Sequence, residues 1–225
     1  MQIKNKIIVI TGGTKGLGSS LSKLFSLKGN KIIVAARSIK KERLDNNIFS
    51  IQADVTRELD MKKLANFAVK NFNRIDIWIN NAGIWLTHAP IEKVNIKKVY
   101  SAMNVNFFGT FFGSKYALMQ MRKQKNGTII NILSSSALDG GVGSSGYCAT
   151  KFAAAGFTKC LRYETAEDNI RIISVYTRGM KTSFFNEKKP NAYRDFMDPM
   201  YVAEKIISNL ELKNPRQDLM INCRK

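Results

Sequence analysis

Tyr147 and Lys151 stand four residues apart in a stretch, 147 to about 165, that reads as a helix. That spacing puts both side chains on one helix face. A tyrosine with a pKa of about 10 exchanges no proton near neutrality, and a fixed ammonium beside it favours the phenolate. A drop of three units asks for about 4 kcal/mol of differential stabilisation. Proton-transfer catalysis wants an acid or base poised near the working pH. Tyr147 is therefore expected to give a proton to a carbonyl or take one from an alcohol, with Lys151 tuning it. Ser134 lies 13 residues before Tyr147 and follows the β-branched run 128–133. It sits at that run's carboxyl end, where open α/β sheets bind ligands. Its hydroxyl is placed to hold a substrate oxygen as charge develops there. Ser135 and Ser136 adjoin it, and the 13-residue spacing favours Ser134.

A second constellation opens the chain. Residues 7–11, Ile-Ile-Val-Ile-Thr, lead straight into Gly12-Gly13-Thr14-Lys15-Gly16-Leu17-Gly18, and a helical pattern follows. A strand, a glycine turn and a helix N-terminus make an anion site, because free N–H groups and the helix dipole face the ligand. Glycine at 12, 16 and 18 allows positive φ, close backbone approach and tight helix–strand packing. The spacing T-G-x-x-x-G-x-G is neither G-x-G-x-x-G nor a P-loop, and alone it says only dinucleotide. Binders of NAD usually carry an acidic residue about 20 positions on, for the ribose 2′-hydroxyl. Here the second strand ends Ala35-Ala36-Arg37-Ser38, and the first acidic residue is Glu42, after nine lysines and arginines. Lys15 and Arg37 are placed to reach a 2′-phosphate, which a carboxylate would repel and a guanidinium grips bidentately. NADP(H) is thus expected over NAD(H), the other reading being two more surface cations.

Elements of the right kind surround these residues. Candidate strands at 7–10, 31–35, 49–52, 75–80, 128–133, 170–176 and 218–221 alternate with amphipathic stretches, the mark of a doubly wound parallel sheet of about seven strands. Leu17, Leu21, Leu24 and Phe25 share a helix face that Gly29 stops, and Leu64, Phe67, Ala68 and Phe72 line another. Longer helices are expected over 95–123 and from 147, and Pro199 opens one through Leu210. The stretch 39–49 is short for a full crossover helix, so that helix is expected to be truncated. Residues 182–198, with Pro190 and paired aromatics, read as an excursion over a site. The whole, 1–225, is expected to be a single Rossmann-type domain.

Composition removes most other chemistries. With 225 residues and 44% hydrophobic content, the chain can build a sizeable core. Cys148, Cys160 and Cys223 are odd in number and far apart, and His88 is the only histidine, so disulfide frameworks, metal sites and a histidine triad are not expected. No apolar run approaches the roughly 18 residues that span a bilayer, and the first apolar stretch is too short for a signal peptide. A cytoplasmic chain without membrane partners is expected. The net charge of +19 invites a nucleic-acid reading, but no basic tail or Arg-rich block appears. A solvated lysine-rich surface is the plainer reading, and no nucleic-acid partner is expected.

In order along the chain stand Thr11-Gly12-x-x-x-Gly16-x-Gly18, Asp54, Asn80-Asn81-Ala82-Gly83, Asn106, and Ser134 with Tyr147-x-x-x-Lys151. In these features the sequence resembles the short-chain dehydrogenase/reductase family, from about residue 4 to the C-terminus. The resemblance implies an oxidoreductase that interconverts a ketone and a secondary alcohol, with Ser134, Tyr147, Lys151 and Asn106 catalytic. It gives Lys151 a second role on the nicotinamide ribose and Asn106 support of a water relay toward the lysine. Asp54 and Val55 become adenine-pocket residues, Asn81, Ala82 and Gly83 pack on the adenosine side, and Thr182 touches the cofactor amide or pyrophosphate. Thr14, Leu17 and Ser38 join the cofactor contacts. Relatives pair through helices matching 95–123 and 147–165, which implies a homodimer or homotetramer. The family usually shows Pro-Gly where this chain has Thr177-Arg178. Two alternatives stay open: a non-catalytic dinucleotide-binding regulatory module, and a 3-oxoacyl-carrier-protein reductase docking its carrier near Lys125, although Asp168 stands where a second cation is expected.

Overall fold

The computed structural model describes residues 3–39, 43–185 and 189–222. Cys223 and Glu42 lie outside them. The strands are β1 (Ile7–Thr11), β2 (Lys31–Ala36), β3 (Arg43–Asp45), β4 (Ile48–Gln52), β5 (Ile77–Asn80), β6 (Gly127–Ile132), β7 (Ile170–Thr177) and β8 (Asp218–Ile221). They form one sheet in the order β3-β4-β2-β1-β5-β6-β7-β8. Seven strands run parallel, and only β3 is antiparallel, paired with β4. The helices are α1 (Gly16–Leu27), α2 (Glu58–Phe72), α3 (Ile96–Met103), α4 (Gly109–Gln124), α5 (Ser145–Glu164) and α6 (Pro199–Glu211).

Strand alternation divides the core between two faces. Ile8 and Ile10 point to the α1/α6 side, where Leu21, Phe25, Val202 and Ile206 are buried. Ile7 and Val9 point to the other side, against Met61, Leu64, Trp78, Met121 and Leu161. Sheets covered on both faces read as continuous apolar runs, and all seven expected strands are present. Strand β3 was not anticipated. Where a truncated crossover helix was expected over 39–49, the described residues form no helix: β3 and a turn return the chain directly to β4, and 40–42 lie outside the described residues. Gly29 does stop α1, at φ +80°.

The helix expected over 95–123 is present but not uniform. A π-helical turn, Asn104–Phe108, separates α3 from α4. The extra residue in that turn breaks the 3.6 period and re-aims one side chain, and Asn106 falls in it.

A chain of buried amides fixes the strands that carry the site. Trp78 Nε1 donates to Asn80 Oδ1 at 2.7 Å, and Asn80 Nδ2 donates to Ser114 Oγ at 2.9 Å and Asn131 Oδ1 at 2.8 Å. Asn131 Nδ2 donates in turn to Thr158 Oγ1 at 2.9 Å. The chain crosses β5, α4, β6 and α5, so the register of the helix bearing Tyr147 is set by polar contacts as well as by packing. Gly113 permits it, since a Cβ there would lie 2.1 Å from Asn80 Oδ1. Among the described residues no helix is long and apolar enough to cross a membrane.

Candidate active site

The carboxyl ends of β1 and β5 are stitched together beneath the glycine turn. Thr11 Oγ1 accepts from the amides of Asn81 at 3.0 Å and Ala82 at 3.1 Å. Asn81 Nδ2 donates to the carbonyls of Thr11 at 2.9 Å and Gly12 at 3.1 Å. Gly12 and Gly16 adopt φ of +64° and +50°, and a Cβ on Gly18 would lie 2.2 Å from the Gly12 carbonyl oxygen. Only glycine fits at 18, and left-handed backbone favours it at 12 and 16. Lys15 caps α1 with no side-chain hydrogen bond, so its own side chain leaves the first-turn amides uncovered. Thr14 is half-buried in the turn, and Leu17 anchors its far side in the core. This is an anion cradle left open on the ligand side.

Lys15, Arg37 and Ser38 are exposed at its rim, and neither cation pairs with a carboxylate among the described residues. The Arg37 carbonyl accepts from Gln52 Nε2 at 2.9 Å, which anchors the backbone below the guanidinium. Asp54 Oδ1 accepts from Thr56 N at 2.9 Å and Thr56 Oγ1 at 2.8 Å, and the Asp54 amide donates to Asp60 Oδ2 at 3.0 Å. That carboxylate holds its own turn and presents the buried Val55 against Gly109.

Ser134, Tyr147, Lys151 and Asn106 come together at the ends of β5 and β6. Ser134 caps a short 3-10 turn, its Oγ accepting from Ser136 N at 3.1 Å. Tyr147, in the first turn of α5, is buried with Leu86 and Ala102, with Ile84, Trp85, Val99 and Phe184 packed around them. Lys151 follows one turn later and is 6% exposed; its Nζ stands 5.9 Å from the Tyr147 ring centroid and donates to the Ile132 carbonyl at 3.3 Å. Among the described residues no carboxylate pairs with it. Burial pushes the lysine down to about 8. Burial also raises the Tyr147 phenol, while a hydrogen bond with Ser134 pulls it down. Burial is the largest influence on the phenol, and Lys151, 5.9 Å from the ring centroid, is not among the groups that shift it.

Asn106 is 1% exposed and is not satisfied locally, as an amide inside a helix usually is. Its Oδ1 accepts from Ile84 N at 2.9 Å, and its Nδ2 donates to Ile84 O and Thr150 Oγ1, both at 3.0 Å. Thr150 Oγ1 donates to the Tyr147 carbonyl at 2.8 Å. One amide thus ties the loop after β5 to the helix that carries the tyrosine and lysine. Thr150 and Trp85 were not singled out from the sequence. The only trace of Thr150 was a polar residue on the inward face of α5, between Tyr147 and Lys151.

Beyond β7, Arg178 is exposed and Gly179 lies flat beneath Phe196, where a Cβ would stand 2.4 Å from the ring. Close packing by glycine is thus kept, one residue later than the Pro-Gly pattern. Thr182 lies over the glycine turn, its Cγ2 3.0 Å from where a Cβ on Gly16 would be. Phe184 meets Tyr147 edge-on at 6.5 Å between centroids, and Phe185 packs on Trp85 at 5.2 Å and Phe196 at 5.1 Å. Within the expected excursion 182–198, residues 186–188 lie outside those described.

The family model described as short chain dehydrogenase matches residues 6–192. The chain is 31% identical over 182 residues to a xanthoxin dehydrogenase of Arabidopsis thaliana, covering 76% of this chain and 64% of that protein. It is 33% identical over 192 residues to the 3-oxoacyl-[acyl-carrier-protein] reductase FabG of Buchnera aphidicola, covering 83% and 78%. Among solved structures, ElxO with NADP bound shares 29% identity at a TM-score of 0.87, covering 97% of each chain. With this match on both sequence and fold, the chain belongs to the short-chain dehydrogenase/reductase family of oxidoreductases.

Proposed function

We propose that the protein is an NADP(H)-dependent oxidoreductase that interconverts a ketone and a secondary alcohol, with Tyr147 as the acid/base. The observation that carries this reading is the convergence of Ser134, Tyr147 and a buried Lys151 beside an open anion cradle rimmed by Lys15 and Arg37, all three cations without a carboxylate partner among the described residues. A dinucleotide fits these residues. The first-turn amides of α1 would hold the pyrophosphate, and Lys15 and Arg37, with Ser38, the 2′-phosphate. Asp54 and Val55 would flank the adenine, Asn81, Ala82 and Gly83 the adenosine side, Lys151 the nicotinamide ribose, and Thr182 the amide. ElxO, the solved structure compared above, has NADP bound. When bound, the cofactor supplies or accepts the hydride.

The remaining work falls to the chain. Ser134 holds the substrate oxygen, and Tyr147 delivers its proton there in reduction or removes it in oxidation. Charged Lys151 favours the phenolate once ligand replaces apolar contacts around the ring. Asn106 and Thr150 hold the loop and helix so that both groups face one point. The aromatic wall of Trp85, Phe184 and Phe185 suits an apolar substrate. NADPH consumption with a panel of apolar ketones tests the reading: turnover supports it, and tight dinucleotide binding with no turnover favours a regulatory module. Carrier docking is less well supported, since Asp168 is already paired with Arg122 at 2.9 Å.

Two expectations arise here. Lys151 acts as a cation and its free-enzyme value is about 8. Efficiency of reduction, kcat/KM, is therefore expected to fall as pH rises through that value, since kcat/KM reports the free enzyme. Lys151→Arg, which keeps its charge, should lose this alkaline limb even at lower overall activity. A pH–rate profile of both proteins checks it, and an unchanged limb in the variant assigns the titration elsewhere.

The second concerns assembly. Phe108, Phe111 and Phe152 are 41%, 38% and 46% exposed on the π-helical turn, α4 and α5, next to Phe107 and Phe157, which meet edge-on. A second copy covering this face is the expected partner. Light scattering at micromolar concentration should show a dimer or tetramer, and a stable monomer would contradict it.

A further inference from the structure

The turn between Ser134 and Tyr147 carries an apolar side chain that the fold does not bury. Val142 is 100% exposed, yet the backbone around it is braced. Ser144 Oγ donates to the Gly141 carbonyl at 2.6 Å, and the Ser144 amide donates to the same oxygen at 3.1 Å. Gly143 takes φ +71°, and its carbonyl accepts from the Ala89 amide at 2.9 Å. That bond joins the turn to the loop after β5, two residues before Ile91, which is 71% exposed in the 3-10 turn Ile91–Lys93. A Cβ on Gly143 would stand 3.1 Å from Ala89 N, which sets the Val142 and Ile91 Cα atoms no more than about 18 Å apart. Leu138, at the other root of the turn, is 46% exposed. Single apolar residues on a surface are ordinary, but three along one rim make a patch. The rim belongs to the candidate active site. Leu138 follows the 3-10 turn that Ser134 caps, and a Cβ on Gly146, beside Tyr147, would lie 3.2 Å from Val99 Cγ2 and 3.8 Å from Val94 Cγ1.

Cations border the patch. Lys93 closes the Ile91 turn and Lys97 lies in the first turn of α3; both are exposed, and among the described residues neither pairs with a carboxylate. Across the mouth, Lys189 lies over the Tyr193 ring at 4.9 Å, and Tyr193 meets Phe185, which packs on Trp85. Against these stand the exposed Glu92 and Asp139, and Asp139 Oδ1 already accepts from the Gly140 amide at 2.8 Å. We propose that this rim is a membrane-contact surface: Ile91, Val142 and Leu138 enter the headgroup region of an anionic bilayer, with Lys93 and Lys97 on its lipid phosphates. Aliphatic tips bordered by lysines are the composition that an interfacial contact takes. Among the described residues no helix crosses a membrane; that excludes a span and leaves a surface contact untouched. A second copy on this face would crowd two sets of unpaired lysines together in a chain that already carries +19. A nucleic acid would find no stacking ring and no arginine fork among these tips. The inference goes beyond the oxidoreductase reading and does not rest on it. Where both hold, the mouth of the site opens toward the bilayer, and an apolar substrate dissolved there reaches the wall of Trp85 and Phe184 directly.

Vesicle flotation tests it, with phosphatidylcholine alone and with phosphatidylcholine mixed with phosphatidylglycerol. Wild type should float with the mixed vesicles and not with phosphatidylcholine alone. Val142→Asp should weaken binding to the mixed vesicles at least about tenfold, and so should Lys93→Glu combined with Lys97→Glu. The matched pair Lys23→Glu with Lys205→Glu, exposed lysines on α1 and α6, should leave binding within about twofold. Thermal melts and turnover of a water-soluble ketone accompany each variant and should stay at wild-type values. Wild type that does not float with the mixed vesicles overturns the surface, whatever its turnover. Equal weakening by the two lysine pairs overturns it as well, since diffuse charge then does the binding, and so does full binding by Val142→Asp. Rim-dependent flotation without turnover of any ketone supports the surface and removes the oxidoreductase reading instead.

Discussion

Tyr147→Phe is expected to lower turnover by at least about a hundredfold while leaving dinucleotide affinity nearly intact. The substitution keeps the ring, which packs with Leu86 and Ala102 and meets Phe184, and removes only the hydroxyl. Neither the Asn106–Thr150–Tyr147 link nor the Lys151 hydrogen bond involves that hydroxyl: the first ends on the tyrosine carbonyl and the second on the Ile132 carbonyl. The helix and its lysine therefore stay in place, and a loss of rate reports proton transfer, not collapse of the site. Thermal melts and cofactor titration accompany the kinetics. Turnover within a small factor of wild type would put the acid elsewhere.

The second large effect concerns which dinucleotide is used. Two charge-assisted contacts, at about 1.5–3 kcal/mol each, should favour NADPH over NADH by at least 10²-fold, trimmed to about tenfold where exposure and salt screen them. Arg37→Asp reverses the charge at the end of β2 and should shift preference toward NADH, with turnover at saturating cofactor little changed. The Gln52 contact is to the Arg37 carbonyl, so the backbone there survives the substitution. Titrations of both cofactors at two salt concentrations check it. Equal affinities in wild type would mean that Lys15 and Arg37 serve only solvent; the cradle would stand, but not the 2′-phosphate assignment.

Much of this was legible before any coordinates. Seven parallel strands announce themselves because burial on both faces demands nearly unbroken apolar runs, as in Ile7-Ile8-Val9-Ile10. The glycine turn is legible for a steric reason: the contacts that a Cβ on Gly18 would make are forbidden to any other residue. Strand β3 is not legible, since Arg43-Leu44-Asp45 has one apolar residue and its pairing with β4 is decided by the short return of the chain. Nor is the π-helical turn, because one inserted residue leaves the apolar pattern of 95–123 looking helical. Without that turn, the long-range bonds of Asn106 to Ile84 cannot be foreseen. The phenol and ammonium teach a different lesson. Their spacing was correct, but spacing counts charges and not water, and here burial moves both groups toward neutrality.

The most direct test of the central claim follows the hydride and the proton together. Wild-type protein is given nicotinamide-deuterated NADPH and an apolar ketone, and the alcohol product is analysed for deuterium at the carbinol carbon, with Tyr147→Phe run in parallel under matched cofactor saturation. The account predicts deuterium at that carbon from the wild type and product formation reduced at least about a hundredfold in the variant. Dinucleotide bound by both proteins, with no labelled alcohol from either, would contradict it and leave a binding module in place of an enzyme.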